Sequence, residues 1–559
     1  MSWSHSKIRR SVTAVVAASS CLLLTTAGIE AAQARPSGGN DGATRATSST
    51  EVQAPVPQIS WHVCADNPGL RCGTAMVPLD YDLPNGAKIS LNLVKRPADL
   101  PAEKIGSLFV NPGGPGGSAA GFVPYAAALL GAPVRQRFDV IGVDPRGIAG
   151  STPVFCTSQL GDPALPPRPS EAFPRSPRQI DEWLTFDDAV RALCADGGNA
   201  VLDHMSTADT ARDMDLIRQA VGDPMLTYYG ISYGTQLGTT YAAMFPGRVR
   251  AMVLDAVLDP VQWTTGRFGL GQRYTVTARL HSGYGSWEAL TSAFAECDRV
   301  GPRACPQAGR IGYEYNRVVA KLRTGAVHAG GSRITYANVI GTLLGGLYDA
   351  RNYPAIMSFV HDLYGLIFSP SPLAEAATAR SWANLKRAVA ESRGIPPRYL
   401  SHGSSAVVVQ TARERISPQF HAVACSDSVN PDDPSRSIAS ARFANREGPG
   451  FGALWSWASS VCVNWPGSSA DAFRGPWRTN TAHPILITGN THDPATPISG
   501  ARAVNKLFPG SVMFTVDTWG HGALGHSQCA KTKWDAYLVS GRLPANGLVC
   551  QPNSPLFPR

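Results

Sequence analysis

Short apolar runs bounded by turn residues recur along this chain: Ile89 to Val94, Ser107 to Val110, Phe138 to Val143, Leu226 to Tyr229, Val249 to Leu254, Ile485 to Thr488 and Val512 to Val516. Such runs predict buried strands. Helical patterns separate them. From Thr207 to Val221, apolar Ala211, Met214, Ile217 and Val221 recur at helical spacing, and Gly222 follows as a stop. Strands alternating with helices predict an α/β architecture, a mostly parallel sheet covered on both faces. The rhythm breaks between Pro260 and about His483. There, Ala-rich and aromatic stretches such as Trp287 to Cys297, Tyr336 to Tyr348 and Ala374 to Ser392 predict an inserted, mainly helical cap. The expected organisation is a core over 58–260, the cap over 261–482 and the rest of the core over 483–559.

The N-terminus changes where the protein is expected to work. Lys7, Arg9 and Arg10 precede the apolar run Val12 to Leu24, and Ala32-Gln33-Ala34 follows, the pattern of a secretory signal over 1–34. Residues 35–57 are rich in Ser, Gly, Thr, Ala and Pro and are expected to be a disordered leader. No later run is long and apolar enough to span a membrane, so a secreted, extracellular monomer is expected. Ten of the eleven cysteines lie beyond the signal, and an even number in an exported chain favours disulfides over metal ligation. Sequence-local couples give Cys64 with Cys72, Cys156 with Cys194, Cys297 with Cys305, Cys425 with Cys462, and Cys529 with Cys550. The net charge of +9 is scattered, with no basic run of five, which argues for a solvated surface and against nucleic-acid binding.

Gly230-Ile231-Ser232-Tyr233-Gly234 follows one predicted strand and opens a helical segment, the setting of a nucleophile elbow. A serine hydroxyl needs a histidine base and a carboxylate to hold the imidazole. On an α/β-hydrolase sheet the order is Ser, acid, His. Asp493 lies just past the strand at Ile485 to Thr488, and His521, between Gly520 and Gly522, just past the strand at Val512 to Val516. These make Ser232, Asp493 and His521 the expected triad. His492, His526 and Asp517 compete by proximity and are read as structural. For the oxyanion, the N–H of Tyr233 and one from the loop Asn111-Pro112-Gly113-Gly114-Pro115-Gly116-Gly117-Ser118 are expected, with Gly114 favoured over Gly113. This chemistry calls for no cofactor and no metal.

The glycine-rich loop resembles the H-G-G-P-G oxyanion motif of proline iminopeptidase-type α/β-hydrolases, with Pro112 in place of the His. Together with Asp144-Pro-Arg146-Gly147, the elbow, Asp493-Pro-Ala-Thr-Pro497 and Gly520-His521-Gly522, the chain resembles secreted tripeptidyl aminopeptidases of actinomycetes from about Trp61 to Cys550. One departure is Ala149, where that pattern has a glycine. The resemblance implies removal of short peptides, typically tripeptides, from free N-termini, with the cap restricting access. The substrate ammonium would need a carboxylate, and Asp427 is a candidate, against a turn aspartate as the plainer reading. A carboxylesterase or lipase on the same scaffold is the alternative, since acyl transfer does not distinguish amide from ester. A non-enzymatic binding protein with a relic fold is the further one.

Overall fold

The computed structural model describes residues 52–158, 165–392, 415–468 and 470–558; the expected signal at 1–34 lies outside them, as does most of the leader. The strands are β1 (His62–Cys64), β2 (Asn67–Pro78), β3 (Lys88–Arg96), β4 (Gly106–Asn111), β5 (Phe138–Val143), β6 (Cys156–Thr157), β7 (Leu226–Ile231), β8 (Val249–Asp255), β9 (Val327–Ala329), β10 (Ser332–Ile334), β11 (Arg415–Ile416), β12 (Leu486–His492), β13 (Val512–Trp519) and β14 (Val549–Cys550). Ten form one sheet in the order β1-β2-β3-β5-β4-β7-β8-β12-β13-β14. From β5 to β14 every pairing is parallel, and β1, β2 and β3 join antiparallel at one edge.

Successive side chains on a strand point to opposite faces, and both faces here are buried. On β4, Leu108 and Val110 enter one core cluster and Phe109 the other; on β7, Tyr229 and Tyr228 divide likewise. The helices Ala119–Leu129 and Gln528–Ser540 cover the first face, and Thr207–Ala220 and Tyr233–Met244 the second. The apolar runs at β4, β5, β7, β8, β12 and β13 follow from that double burial, whereas β3 buries Ile89, Leu91 and Leu93 on alternate positions. β2 carries Pro68, Gly69 and Arg71 and alternates buried with exposed residues along its second half, so it lacks the apolar run that marks the others. Val52 and Ala54, inside the segment expected to be leader, pack partly buried against the central cluster.

Between β8 and β12 the described chain is mainly helical, from Pro260–Trp263 through Ser282–Val300, Tyr336–Leu347, Tyr353–Phe368 and Pro372–Ser392 to Phe451–Trp457. All but the first of these helices build a third cluster, which also takes in Phe173 from before the elbow and Leu556 and Phe557 from the C-terminal tail, while Trp263 packs into the central one. Buried Arg279 fixes the start of this insertion by donating to the carbonyls of Gln262, Trp263, Thr264, Tyr274 and Val429. The ten cysteines beyond the signal pair as the sequence-local couples predict. Cys425–Cys462 lies within the insertion, and Cys156–Cys194 ties β6 to the helix Pro177–Gly197.

Candidate active site

The carboxyl ends of β4, β7, β12 and β13 carry the glycine-rich loop, Ser232, Asp493 and His521. In open α/β sheets ligands bind at that end. Ser232 has φ +58° and ψ −126°, a conformation L-residues rarely adopt, between β7 and the helix Tyr233–Met244. The turn requires glycine on both sides. A Cβ on Gly230 would lie 2.5 Å from the carbonyl of Gly234, and one on Gly234 would lie 2.6 Å from that of Asn111. The N–H of Ser232 donates to the carbonyl of Asp255 (3.1 Å), while Thr235 holds the serine carbonyl through its N–H and hydroxyl.

Gly113 and Gly114 both have positive φ, +87° and +120°. The loop lies so close to the elbow that a Cβ on Gly113 would sit 2.7 Å from Tyr233 N and 2.9 Å from Ser232 Cβ. The Gly113 N–H donates to Asn111 Oδ1 (2.9 Å). No protein acceptor among the described residues takes the N–H of Gly114 or of Tyr233. Two donors beside a serine, at a helix N-terminus, can receive a developing oxyanion.

Asp493 is 2% exposed, and its carboxylate is fully engaged. It accepts His521 Nδ1–H on both oxygens (3.0 and 3.1 Å), the N–H groups of Ala495 and Thr496 on Oδ1 (2.9 and 2.8 Å), and that of Gly522 on Oδ2 (3.3 Å). Burial lowers the His521 pKa, but the Asp493 carboxylate outweighs it and the net displacement is upward. The bonds to Nδ1 leave Nε2 free to accept a proton. No hydrogen bond joins Ser232 Oγ to His521 in this structure; in free enzymes such bonds are often long and tighten with substrate.

What joins the elbow to the histidine loop is Asp255, at the end of β8. Its carbonyl accepts Ser232 N–H, and its carboxylate accepts the N–H of Ala523 (3.0 and 3.1 Å) and the hydroxyl of Tyr229 (2.9 Å). Burial pushes this carboxyl up to about 6. The sequence reading passed over it, because an aspartate closing a strand looks like a turn residue. The insertion reaches the same loop from outside: Tyr348 accepts His521 N–H on its carbonyl (2.9 Å) and sets its ring edge-on to the imidazole at 5.0 Å. Thr496 Oγ1 lies 3.3 Å from His521 Nδ1, another contact the sequence reading missed.

The three competing residues have other partners. His492 bonds Glu288 (2.7 Å) and stacks on Trp519, exposed Asp517 accepts from Thr491, and His526 is held by backbone bonds to Ala523 and Asn553. Asp427 requires a correction. It is 2% exposed, and its carboxylate already accepts the N–H of Thr207 (2.8 Å), the hydroxyl of Thr207 (2.5 Å) and the indole of Trp263 (2.8 Å). A carboxylate so engaged offers no face to a substrate ammonium. Thr207 in turn bonds the hydroxyl of Tyr233 (2.7 Å), so Asp427 braces the residue after the elbow serine. Among the described residues no group of three or more His, Cys, Asp or Glu is placed to hold a metal ion. No described helix is long and apolar enough to cross a membrane.

Two family models match: alpha/beta hydrolase fold over residues 106–267 and TAP-like protein over 448–550. Several relatives match along nearly the whole chain. Serine protease Hip1 of Mycobacterium tuberculosis is 29% identical over 520 residues, 88% of this chain and 91% of the relative. The tripeptidyl aminopeptidase of Streptomyces lividans is 28% identical over 515 residues, 89% and 87%. Carboxylesterase B of Mycobacterium tuberculosis is 29% identical over 528 residues, 89% and 91%. The chain has the α/β-hydrolase fold, and it is a serine hydrolase of tripeptidyl-aminopeptidase-like type.

Proposed function

We propose that this serine hydrolase is an exported exopeptidase that releases short peptides, tripeptides first among them, from free N-termini through an acyl-enzyme. Ser232 Oγ attacks the scissile carbonyl and passes its proton to His521 Nε2. Asp493 holds the imidazole tautomer and stabilises the cation that forms. The oxyanion is received by the N–H groups of Tyr233 and Gly114. His521 then protonates the leaving amine, the acylated peptide stays on Ser232, and water repeats the sequence in reverse to free it. The observation that carries the reading is the five-fold engagement of Asp493 around His521 beside a serine held at positive φ.

The helical insertion acts as a cap. Its Tyr348 touches the histidine loop directly, which supports a site reached by a chain end and closed to the middle of a polypeptide. The disulfides and the N-terminal signal pattern support export. Substitution Ser232→Ala is expected to lower kcat about a thousandfold or more without lowering the melting temperature; near-normal turnover would overturn the assignment of the nucleophile. The relative named carboxylesterase favours a second reading, ester hydrolysis by the same residues.

A further inference from the structure

A recess of about 240 Å³ lies where the core meets the helical insertion, and none of the candidate catalytic residues lines it. The helix Pro177–Gly197 contributes Trp183 and Asp187 to its wall, and the insertion contributes His421 and Trp457. The two indole rings lie 5.9 Å apart at 56°. Asp187 is 4% exposed, yet its Oδ2 has no hydrogen-bond partner, and neither has Trp183 Nε1. Buried polar atoms are nearly always paired. Two unpaired ones on one wall of one recess mark places for a ligand's own polar groups.

Charge narrows the ligand class. Arg191, near Asp187, is already committed to Asp188 Oδ1 and the carbonyl of Val461. Arg168 is exposed where it lines the recess and has no carboxylate partner among the described residues. The recess therefore has a buried carboxyl at its floor, one that a bound ammonium would draw into its ionised form, aromatic faces along its side and an unpaired cation at its mouth. A simple amine would meet the Arg168 charge and a simple acid would meet Asp187. A molecule carrying both charges satisfies both ends, and an indole face beside Asp187 favours an ammonium there.

We propose that this recess binds a small zwitterion, a free amino acid or a dipeptide, with its ammonium on Asp187, its side chain against the paired indoles of Trp183 and Trp457, and its carboxylate toward Arg168. The volume, below the roughly 300–1,000 Å³ of sites for larger ligands, suits molecules of that size.

Calorimetric titration of the full exported chain with L-leucine, L-leucyl-L-leucine, N-acetyl-L-leucine and L-leucinamide tests the proposal. Saturable binding of leucine or of leucyl-leucine is expected, and which of the two binds identifies the source. Acetylation of the amine and the variant Asp187→Asn should each weaken it about tenfold or more. Arg168→Ala, at an exposed position that leaves the fold intact, should weaken leucine while abolishing the preference for leucine over leucinamide. The turnover of a tripeptide anilide by both variants is expected to stay at the wild-type level, which also shows that they fold. Absence of saturable binding with all four probes would overturn the proposal, as would equal affinity for the acetylated probe or binding indifferent to both substitutions.

Discussion

Asp255 uses its backbone and side-chain oxygens to tie three segments together: the elbow through Ser232 N–H, the histidine loop through Ala523 N–H, and β7 through the Tyr229 hydroxyl. Its negative charge also helps to hold the His521 pKa above the ordinary histidine value, after burial and Asp493 have had their larger effects. Asp255→Asn keeps the size and one acceptor but removes the charge. The acid limb of the kcat/KM profile against pH is therefore expected to move to lower pH. Loosening of the loop should lower the plateau by up to about a hundredfold. An unshifted limb would show that Asp255 acts on packing alone. At this scale the places of Ser232, Asp493 and His521 at the carboxyl ends of their strands were legible, because each stands just past an apolar run. Asp255 was not, because nothing in a sequence separates a buried, fully bonded aspartate from one closing a turn. Ala149 belongs here too: its φ of +47° explains why a glycine is usual at that position.

Asp427 shows the same limit in a whole element. The helix Gln419–Asp427 ends against the N-terminus of Thr207–Ala220, and the carboxylate joins both to Trp263 of the helix Pro260–Trp263. Asp427→Asn leaves one side-chain oxygen for three donors. Each buried donor left unpaired costs about 1–3 kcal/mol, so a lower melting temperature is expected, with the preference for a free substrate amine unchanged. A selective rise in KM for free-amine substrates at unchanged stability would restore the ammonium role. The helices of the insertion were visible in outline, and Trp287 to Cys297 lies inside Ser282–Val300. That Phe173 and the tail residues Leu556 and Phe557 join their cluster was not, since it depends on contacts between distant parts of the chain. The edge strand β2 was missed for a related reason. An antiparallel strand with one exposed face need not carry the continuous apolar run that marked the parallel strands of the same sheet.

Across the whole molecule, stability and activity should respond to pH in opposite directions. Burial pushes the carboxyl of Asp187 up to about 7 and those of Asp255 and Asp427 up to about 6. Each holds its proton to higher pH folded than unfolded, so its contribution to stability is complete below about pH 4 and is lost as the pH rises toward those values. The contribution of His521, with its raised pKa, is likewise complete below the ordinary histidine value and lost on going above it. His421 opposes them, because burial lowers it to about 4 and its contribution is lost as the pH falls toward that value. The three carboxyls have the larger combined displacement and set the sign. The denaturant midpoint is expected to be higher at about pH 5.5 than at about pH 7.5, whereas turnover, which in the proposed mechanism needs neutral His521, should rise over the same interval. A midpoint that climbed with pH would show that these carboxyls are not held protonated in the folded protein.

The claim that the serine serves an exopeptidase rests on demand for a free substrate amine. Comparing kcat/KM for an unblocked tripeptide anilide, its N-acetylated counterpart and a short-chain nitrophenyl ester measures that demand directly. The account predicts efficient release from the unblocked anilide, a loss of about a hundredfold or more on acetylation, and ester cleavage that disappears with Ser232→Ala. Equal rates on free and acetylated anilides, or hydrolysis of the ester alone, would contradict it.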